Sequence, residues 1–277
     1  MKKAMQVGEW RTKATADVAS EDVDAILRFV TGWNATQLMI RRDVELDGAQ
    51  LEQLNLFLSR RRAGEPVAYI TGSRGFWTLD LGVNEHTLIP RADTETLVEA
   101  VLERVDRTAA LRVLDLGTGS GAIALALASE LPAAVVTATD FSENAVHIAR
   151  ANAVRNSINN IAFLVGDWFV AVPDSERFDV IVSNPPYIAD NDPHLLEGDL
   201  RFEPATALSS GSDGLDDIRH IVAHAPEYLV ESGWLFVEHG YDQGERVRNL
   251  LLAHGFTNVE TLRDFGQNDR VTLGRLT

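Results

Sequence analysis

A chain of 277 residues, 45% hydrophobic and 24% charged, has enough apolar matter for one large core or two smaller ones and the composition of a soluble globular protein. It contains no cysteine, which excludes disulfides, thiolate metal sites and a cysteine nucleophile. Its 25 Lys and Arg stand against 41 Asp and Glu, a formal charge of -16, which argues against a protein that grips nucleic acid along its length and suits a basic protein partner.

The opening "MKKAMQVGEWRTKATADV" has no apolar core of signal-peptide length, and no later run reaches the roughly 18 apolar residues of a membrane span. A cytoplasmic protein without a membrane anchor is expected. In "SEDVDAILRFVTG" the residues Val23, Ile26, Leu27 and Val30 keep helical spacing, with Ser20 placed to cap and Gly32 to stop. "DGAQLEQLNLFLSRRRAGEP" predicts another helix with Leu51, Leu54 and Leu58 on one face. Its "RRR" at 60–62 reads as a solvated helix end complementing the dipole rather than a phosphate site. In "FWTLDLGVN" the period changes: Trp77, Leu79, Leu81 and Val83 alternate with polar residues and glycine, as in a half-buried strand.

From about Leu97 strands and helices alternate. "RVLDLG", "AVVTATD", "IAFLVGD", "FDVIVSN" and "GWLFVEHG" read as strands, and "GAIALALASE", "SENAVHIARANAVRN" and a segment starting near Asp213 as helices. This pattern predicts an α/β fold, a parallel sheet covered by helices on both faces. The closing "GFTNVETLRD" and "RVTLGRL" are too close in sequence for a crossover helix and are expected to be antiparallel.

The first of these strands runs into Gly117-Thr118-Gly119-Ser120-Gly121, where glycines permit a tight turn and let a ligand approach the backbone. Gly117, Gly119 and Ala122 also fit a loose dinucleotide fingerprint, so a nicotinamide dehydrogenase stands as one alternative. The second strand ends at Asp140, 19 residues after Gly121, where a carboxylate can accept both hydroxyls of a ribose or simply cap the next helix. The third ends at Asp167-Trp168, an acid and an indole able to flank an adenine; the plainer reading of Trp168 is a core residue.

The fourth strand delivers Asn184-Pro185-Pro186-Tyr187 to the same edge. Each proline holds the residue before it extended and resists bending into a helix. The Asn184 side-chain oxygen and the Pro185 carbonyl become two stationary acceptors, which suit a planar NH2 group, and Tyr187 adds a ring to stack on it. A purely structural exit from a strand explains the prolines and leaves Asn184 and Tyr187 as accidents.

Together "DLGTGSG", "TATD", "GDW" and "NPPY" resemble S-adenosylmethionine-dependent methyltransferases of planar NH2 groups. "GEPVAYITGSRGFW", "TLIPRADTE", "GDLRFEPATAL" and "NDRVTLGR" extend the resemblance over nearly the whole chain. They are similar to the protein-(glutamine-N5) methyltransferases of peptide chain release factors, the HemK/PrmC family. One departure is Ala92, where that family carries proline.

The resemblance implies a Rossmann-like class I methyltransferase sheet, mostly parallel with antiparallel C-terminal strands, and a small N-terminal helical domain. The expected domains are 1–75 for substrate recognition, 76–92 as a β-hairpin linker and 93–277 for methyl transfer. It also implies S-adenosyl-L-methionine as donor and S-adenosyl-L-homocysteine as product. The donor would lie on Gly117, Thr118, Gly119, Ser120 and Gly121, its ribose on Asp140 and its adenine beside Trp168, with Asn184 close by. Asn184, Pro185, Pro186 and Tyr187 would hold the substrate, with Asn184, Pro185 and Tyr187 in the catalytic role.

The implied substrates are release factors 1 and 2, methylated on the glutamine of their Gly-Gly-Gln loop by a monomer without stable nucleic-acid binding. Three further alternatives are an N5-glutamine methyltransferase of a ribosomal protein, an adenine-N6 methyltransferase of DNA or RNA, and a binding module that senses the donor without catalysis. The adenine reading rests on a flipped base presenting the same NH2 group. The histidines, His239 of "EHG" among them, show no ligand spacing, and no metal is expected.

Overall fold

The structure, a computed structural model, describes residues 5–277. The chain divides into two compact units between Gly72 and Ser73.

The first unit is helical: α1 (Val7–Ala14), α2 (Ser20–Thr31), α3 (Ala35–Ile40), α4 (Gly48–Arg62) and α5 (Val67–Thr71). Trp10, Ile26, Leu27, Leu54, Phe57 and Ile70 are buried together as its core. Gly32 ends α2 in the left-handed conformation, φ 69°, as its position predicts. Ser20 is the first helical residue instead of the cap. Ala19 holds the cap position without a side-chain bond, and Glu21 and Asp22 in the first turn meet the positive helix end by charge. Side-chain caps appear on the next helices, where Asn34 and Asp47 each accept the backbone N–H three residues on at 2.8 Å. The three arginines ending α4 are not free in solvent. Arg60 pairs with Glu65, Arg61 with Asp22 at 2.7 Å and Arg62 with Asp17 at 2.9 Å, which leaves them for internal cross-bracing instead of a phosphate.

The second unit opens with a hairpin, β1 (Ser73–Phe76) and β2 (Leu79–Gly82), in which Phe76 pairs with Leu79. The alternating "FWTLDLGVN" is therefore not one strand: Trp77 and Thr78 are its turn. Trp77 sits at φ 56°, held by its N–H on Glu95 and its indole on Glu130, both at 2.8 Å. Two long-range acceptors override the local period, and a two-residue spacing cannot announce them.

There follow α6 (Glu95–Arg104), β3 (Arg112–Leu116), α7 (Ala122–Glu130), β4 (Val135–Asp140), α8 (Glu143–Arg155), β5 (Ile161–Val165) and β6 (Phe178–Ser183). The chain ends with α9 (Asp216–Tyr228), β7 (Leu229–Glu238), α10 (Gly244–Ala253), β8 (Phe256–Arg263) and β9 (Asp269–Leu276). The seven strands lie in the order β5-β4-β3-β6-β7-β9-β8, parallel from β5 to β7, with β9 antiparallel to both of its neighbours. Helix α7 is apolar all round and buried, as expected of a helix with the sheet beneath and α6 beside it. One face of the sheet buries Leu97, Val101, Leu125, Val136, Val180 and Phe236; the other buries Leu114, Ile181, Ile218, Val222, Leu235 and Leu251. Because β4 and β5 continue to one side of β3 while β6 and β7 continue to the other, the strand order reverses between β3 and β6. The crevice beyond their carboxyl ends is where open sheets bind ligands.

Candidate active site

At that crevice a cavity of about 280 Å3 is lined by Gly117, Thr118, Gly119, Ser120, Asp140, Trp168, Asn184 and Pro186, among others. A second, smaller cavity is lined by Pro185, Tyr187, Ile188, Leu200 and Leu208, and it shares Leu88, Arg91, Asn184 and Ala207 with the first. The glycine turn, the acid, the indole and the asparagine corner, widely separated in sequence, thus meet at one sheet edge. Of the residues singled out, Gly121 is not in either lining. It turns the chain into α7 at φ 87°, with Leu125 and Ala149 against it.

The glycine turn is built for close approach. Gly117 and Gly119 have φ of 72° and 55°, where L side chains strain. A Cβ on Gly117 would come 3.1 Å from Trp168, so the indole lies on the turn and is not a plain core residue. Nothing stands within 4 Å of the corresponding point on Gly119. Asn152 donates to the Ser120 carbonyl at 2.8 Å and steadies the turn from α8.

Two acids frame it. Asp115, at the end of β3, is 1% exposed; its Oδ2 accepts the Thr118 hydroxyl at 2.6 Å, and its Oδ1 meets no partner among the described residues. Burial pushes Asp115 up to about 7, helped by the nearby Asp140 and opposed by the Thr118 hydroxyl. Asp140 accepts the N–H of Gly119 and of Ser142, each at 2.8 Å; burial raises its pKa and these two bonds oppose the rise. It is not the cap of α8, since Ser142 holds that place and accepts the Ala145 N–H at 3.2 Å. Each Asp140 oxygen keeps a lone pair for a ligand hydroxyl. Phe141 follows, lining the cavity yet 74% exposed.

The corner after β6 is braced from behind. Asn184 Nδ2 donates to Thr94 Oγ1 at 3.2 Å, which commits one of its two N–H bonds, turns the amide nitrogen toward Thr94 and leaves Oδ1 as the acceptor. The Tyr187 carbonyl accepts Gln243 Nε2 at 2.9 Å, and the Tyr187 hydroxyl lies 3.4 Å from Glu238. Burial, with Glu238 adding to it, pushes the phenol well above its usual range, so Tyr187 stays neutral. Glu203 has a fully buried side chain and ties two cavity walls together, accepting the Ile89 N–H at 3.0 Å and pairing with Arg91. Ala92 opens a single 3-10 turn, and Arg91 before it is already extended, φ -101° and ψ 145°, the conformation that a proline at 92 would impose.

Sequence reasoning passed over Thr94, Glu203, Glu238, Gln243 and Phe141. Glu238 carries a sequence signal, an acid ending the apolar run "WLFVE". Both ring nitrogens of His239 are engaged, at 2.8 Å, by the Gly240 carbonyl and the Thr272 hydroxyl, so it is a satisfied core histidine. Among the described residues no group of three or more His, Asp or Glu is arranged to hold a metal ion, and no helix is long and apolar enough to cross a membrane.

Residues 11–72 match the family model described as PrmC N-terminal domain, and residues 91–200 match that of the Methyltransferase small domain. A release factor glutamine methyltransferase of Pseudomonas aeruginosa is 58% identical over 224 residues, 81% of this chain and 80% of that protein. One from Escherichia coli is 48% identical over 276 residues, 98% of this chain and 99% of the relative. Among solved structures, a methyltransferase from Pyrococcus furiosus shares the fold at a TM-score of 0.55 and 18% identity, over 78% of this chain and 96% of that one.

Proposed function

The chain belongs to the release factor glutamine methyltransferases, and on that premise we propose how its own residues act. It transfers a methyl group from S-adenosyl-L-methionine to the side-chain amide nitrogen, N5, of the glutamine in the Gly-Gly-Gln loop of bacterial release factors 1 and 2. The observation that carries this reading is the pair of cavities that meet at Asn184.

The larger cavity fits the donor. Asp140 offers lone pairs to ribose hydroxyls, and Trp168 with Phe141 offers faces to adenine. The donor supplies an electrophilic methyl on a sulfonium centre. The smaller cavity takes the glutamine amide, where Asn184 Oδ1 and the Pro185 carbonyl accept its two N–H bonds and Tyr187 covers it.

An amide nitrogen is a poor nucleophile because its lone pair is shared with the carbonyl. The stationary acceptors point that nitrogen at the methyl and favour a pyramidal nitrogen in the transition state. Asn184 is no base, and none is needed early, because the methylated nitrogen becomes acidic and loses its proton after transfer. The helical unit that ends at Gly72 serves substrate recognition, and the enzyme works as a cytoplasmic monomer without stable nucleic-acid contact.

The experiment is incubation with labelled S-adenosyl-L-methionine and a panel of release factor, its Gln-to-Ala loop variant, ribosomal protein and DNA. Label on the release factor alone, lost in the loop variant, supports the reading, and label on DNA or ribosomal protein instead rejects it. Asn184→Ala should retain donor affinity within a few-fold while kcat falls by about 100-fold or more. Full turnover in that variant would sink the role given to Asn184.

A further inference from the structure

Behind the asparagine corner lies a buried carboxyl that the mechanism above does not use. Strands β6 and β7 are parallel with Ser183 opposite Val237. Asn184 follows directly after β6, and Glu238 closes β7. Thr94, in the turn that leads into α6, accepts the Asn184 Nδ2–H at 3.2 Å. Glu238 is 1% exposed, with Oε1 3.4 Å from the Tyr187 hydroxyl and Oε2 without a hydrogen-bond partner among the described residues. An acid in such a place costs stability unless something requires it, and glutamine would fit the same volume.

We propose that Glu238 is a positioning residue for methyl transfer: it receives the Tyr187 hydroxyl and so fixes the ring that covers the substrate amide. This rests on the reading of the site given above and deepens it. The logic is one of hydrogen-bond direction. An ionised carboxylate only accepts, so the Tyr187 hydroxyl turns its hydrogen toward it. A protonated Glu238 can itself donate to that hydroxyl, and the constraint relaxes.

The groups facing Glu238 are few. Burial pushes it up to about 7; the Thr94 hydroxyl, the Arg270 charge and the Tyr187 hydroxyl favour its ionised form, and Asp93 opposes it. Arg270, from β9, is itself held by Asp264 at 2.9 Å and lies 3.3 Å from Asp93. Arg91 acts on Tyr187, and the neighbouring His239 ring is turned away to Thr272.

The test is kcat against pH for the full chain at saturating donor and release factor. The wild type should rise through a step near pH 7, where Glu238 titrates. Glu238→Gln should lower kcat by about tenfold, the loss of one buried hydrogen-bond constraint. It should also remove the step, while donor Kd and the KM for release factor stay as in the wild type. Wild-type kcat in that variant overturns the proposal, and so does a lowered kcat with the step intact, because a merely structural role would leave the step in place. Should Glu238→Gln fail to fold, Tyr187→Phe decides: without the hydroxyl through which Glu238 acts the step must vanish, and an unmoved step overturns the proposal. A wild type that methylates no release factor at any pH refutes the assigned function instead, so the two failures are distinct.

Discussion

Asp115 supports the glycine turn through Thr118 at a cost in stability that depends on pH. It is buried with one oxygen unpartnered, and its pKa stands at about 7, well above the ordinary carboxylate range. A carboxyl whose folded pKa is raised favours the fold while it is protonated. Its contribution is complete below the unfolded pKa near 4, falls as pH rises and is gone above the folded value near 7. Each unit of separation corresponds to about 1.4 kcal/mol, so the group alone makes the protein less stable at pH 8 than at pH 5 by a few kcal/mol. Thermal unfolding of Asp115→Asn should show a smaller difference between those two pH values than the wild type. An equal difference would mean that the burial of Asp115 carries no such cost. Most of the residues lining the site are legible in the sequence because strand ends are marked by abrupt changes of type: glycines after "RVLDL", an acid after "TAT", proline after "VSN". Thr94 and Gln243 are not legible, because the bonds by which they brace the corner reach across 90 and 56 positions.

At the scale of elements, the corner is only as rigid as the segments packed against it. Gly214, ahead of α9, has φ 72°, and a Cβ there would lie 2.2 Å from the Tyr187 carbonyl oxygen and 2.9 Å from Gln243 Nε2. Neither neighbour is a loose side-chain end, since the carbonyl is backbone and the amide is bound to it. Gly214→Ala must therefore shift the strand exit itself, besides costing about 1–3 kcal/mol of backbone strain. Because Gly214 lines neither cavity, the expected result is kcat lowered by about tenfold or more with donor affinity within about threefold. Calorimetric donor binding beside single-turnover rates measures both, and an unchanged rate would show that the corner does not depend on this contact. The strands β3 to β9 and the helices α2, α4, α7, α8 and α9 were readable because each holds one pattern over five to fifteen residues. The hairpin turn at Trp77 was not, since its left-handed residue is a tryptophan fixed by Glu95 and Glu130 where a glycine or asparagine would have advertised it.

For the whole molecule the governing quantity is charge. The formal charge of -16 is visible in composition, and the structure adds where the cations go. Arg11, Arg61, Arg62, Arg219, Arg246 and Arg270 each lie within 3.1 Å of an aspartate, so much of the positive charge is cancelled locally and the excess acids set the outer field. A loop that works against ribosomal RNA needs basic neighbours, and a negative enzyme attracts such a partner from a distance. The attraction acts on encounter rather than chemistry and is screened beyond about 8 Å at physiological salt. Raising the salt from 50 to 300 mM should therefore increase the KM for release factor several-fold while kcat at saturation stays constant. The donor is also a cation, so its Kd must be followed in the same titration, and only the rise in KM beyond any change in that Kd counts as steering. A KM that does not move with salt would leave the acidic excess without a part in substrate capture and confine recognition to short-range contacts.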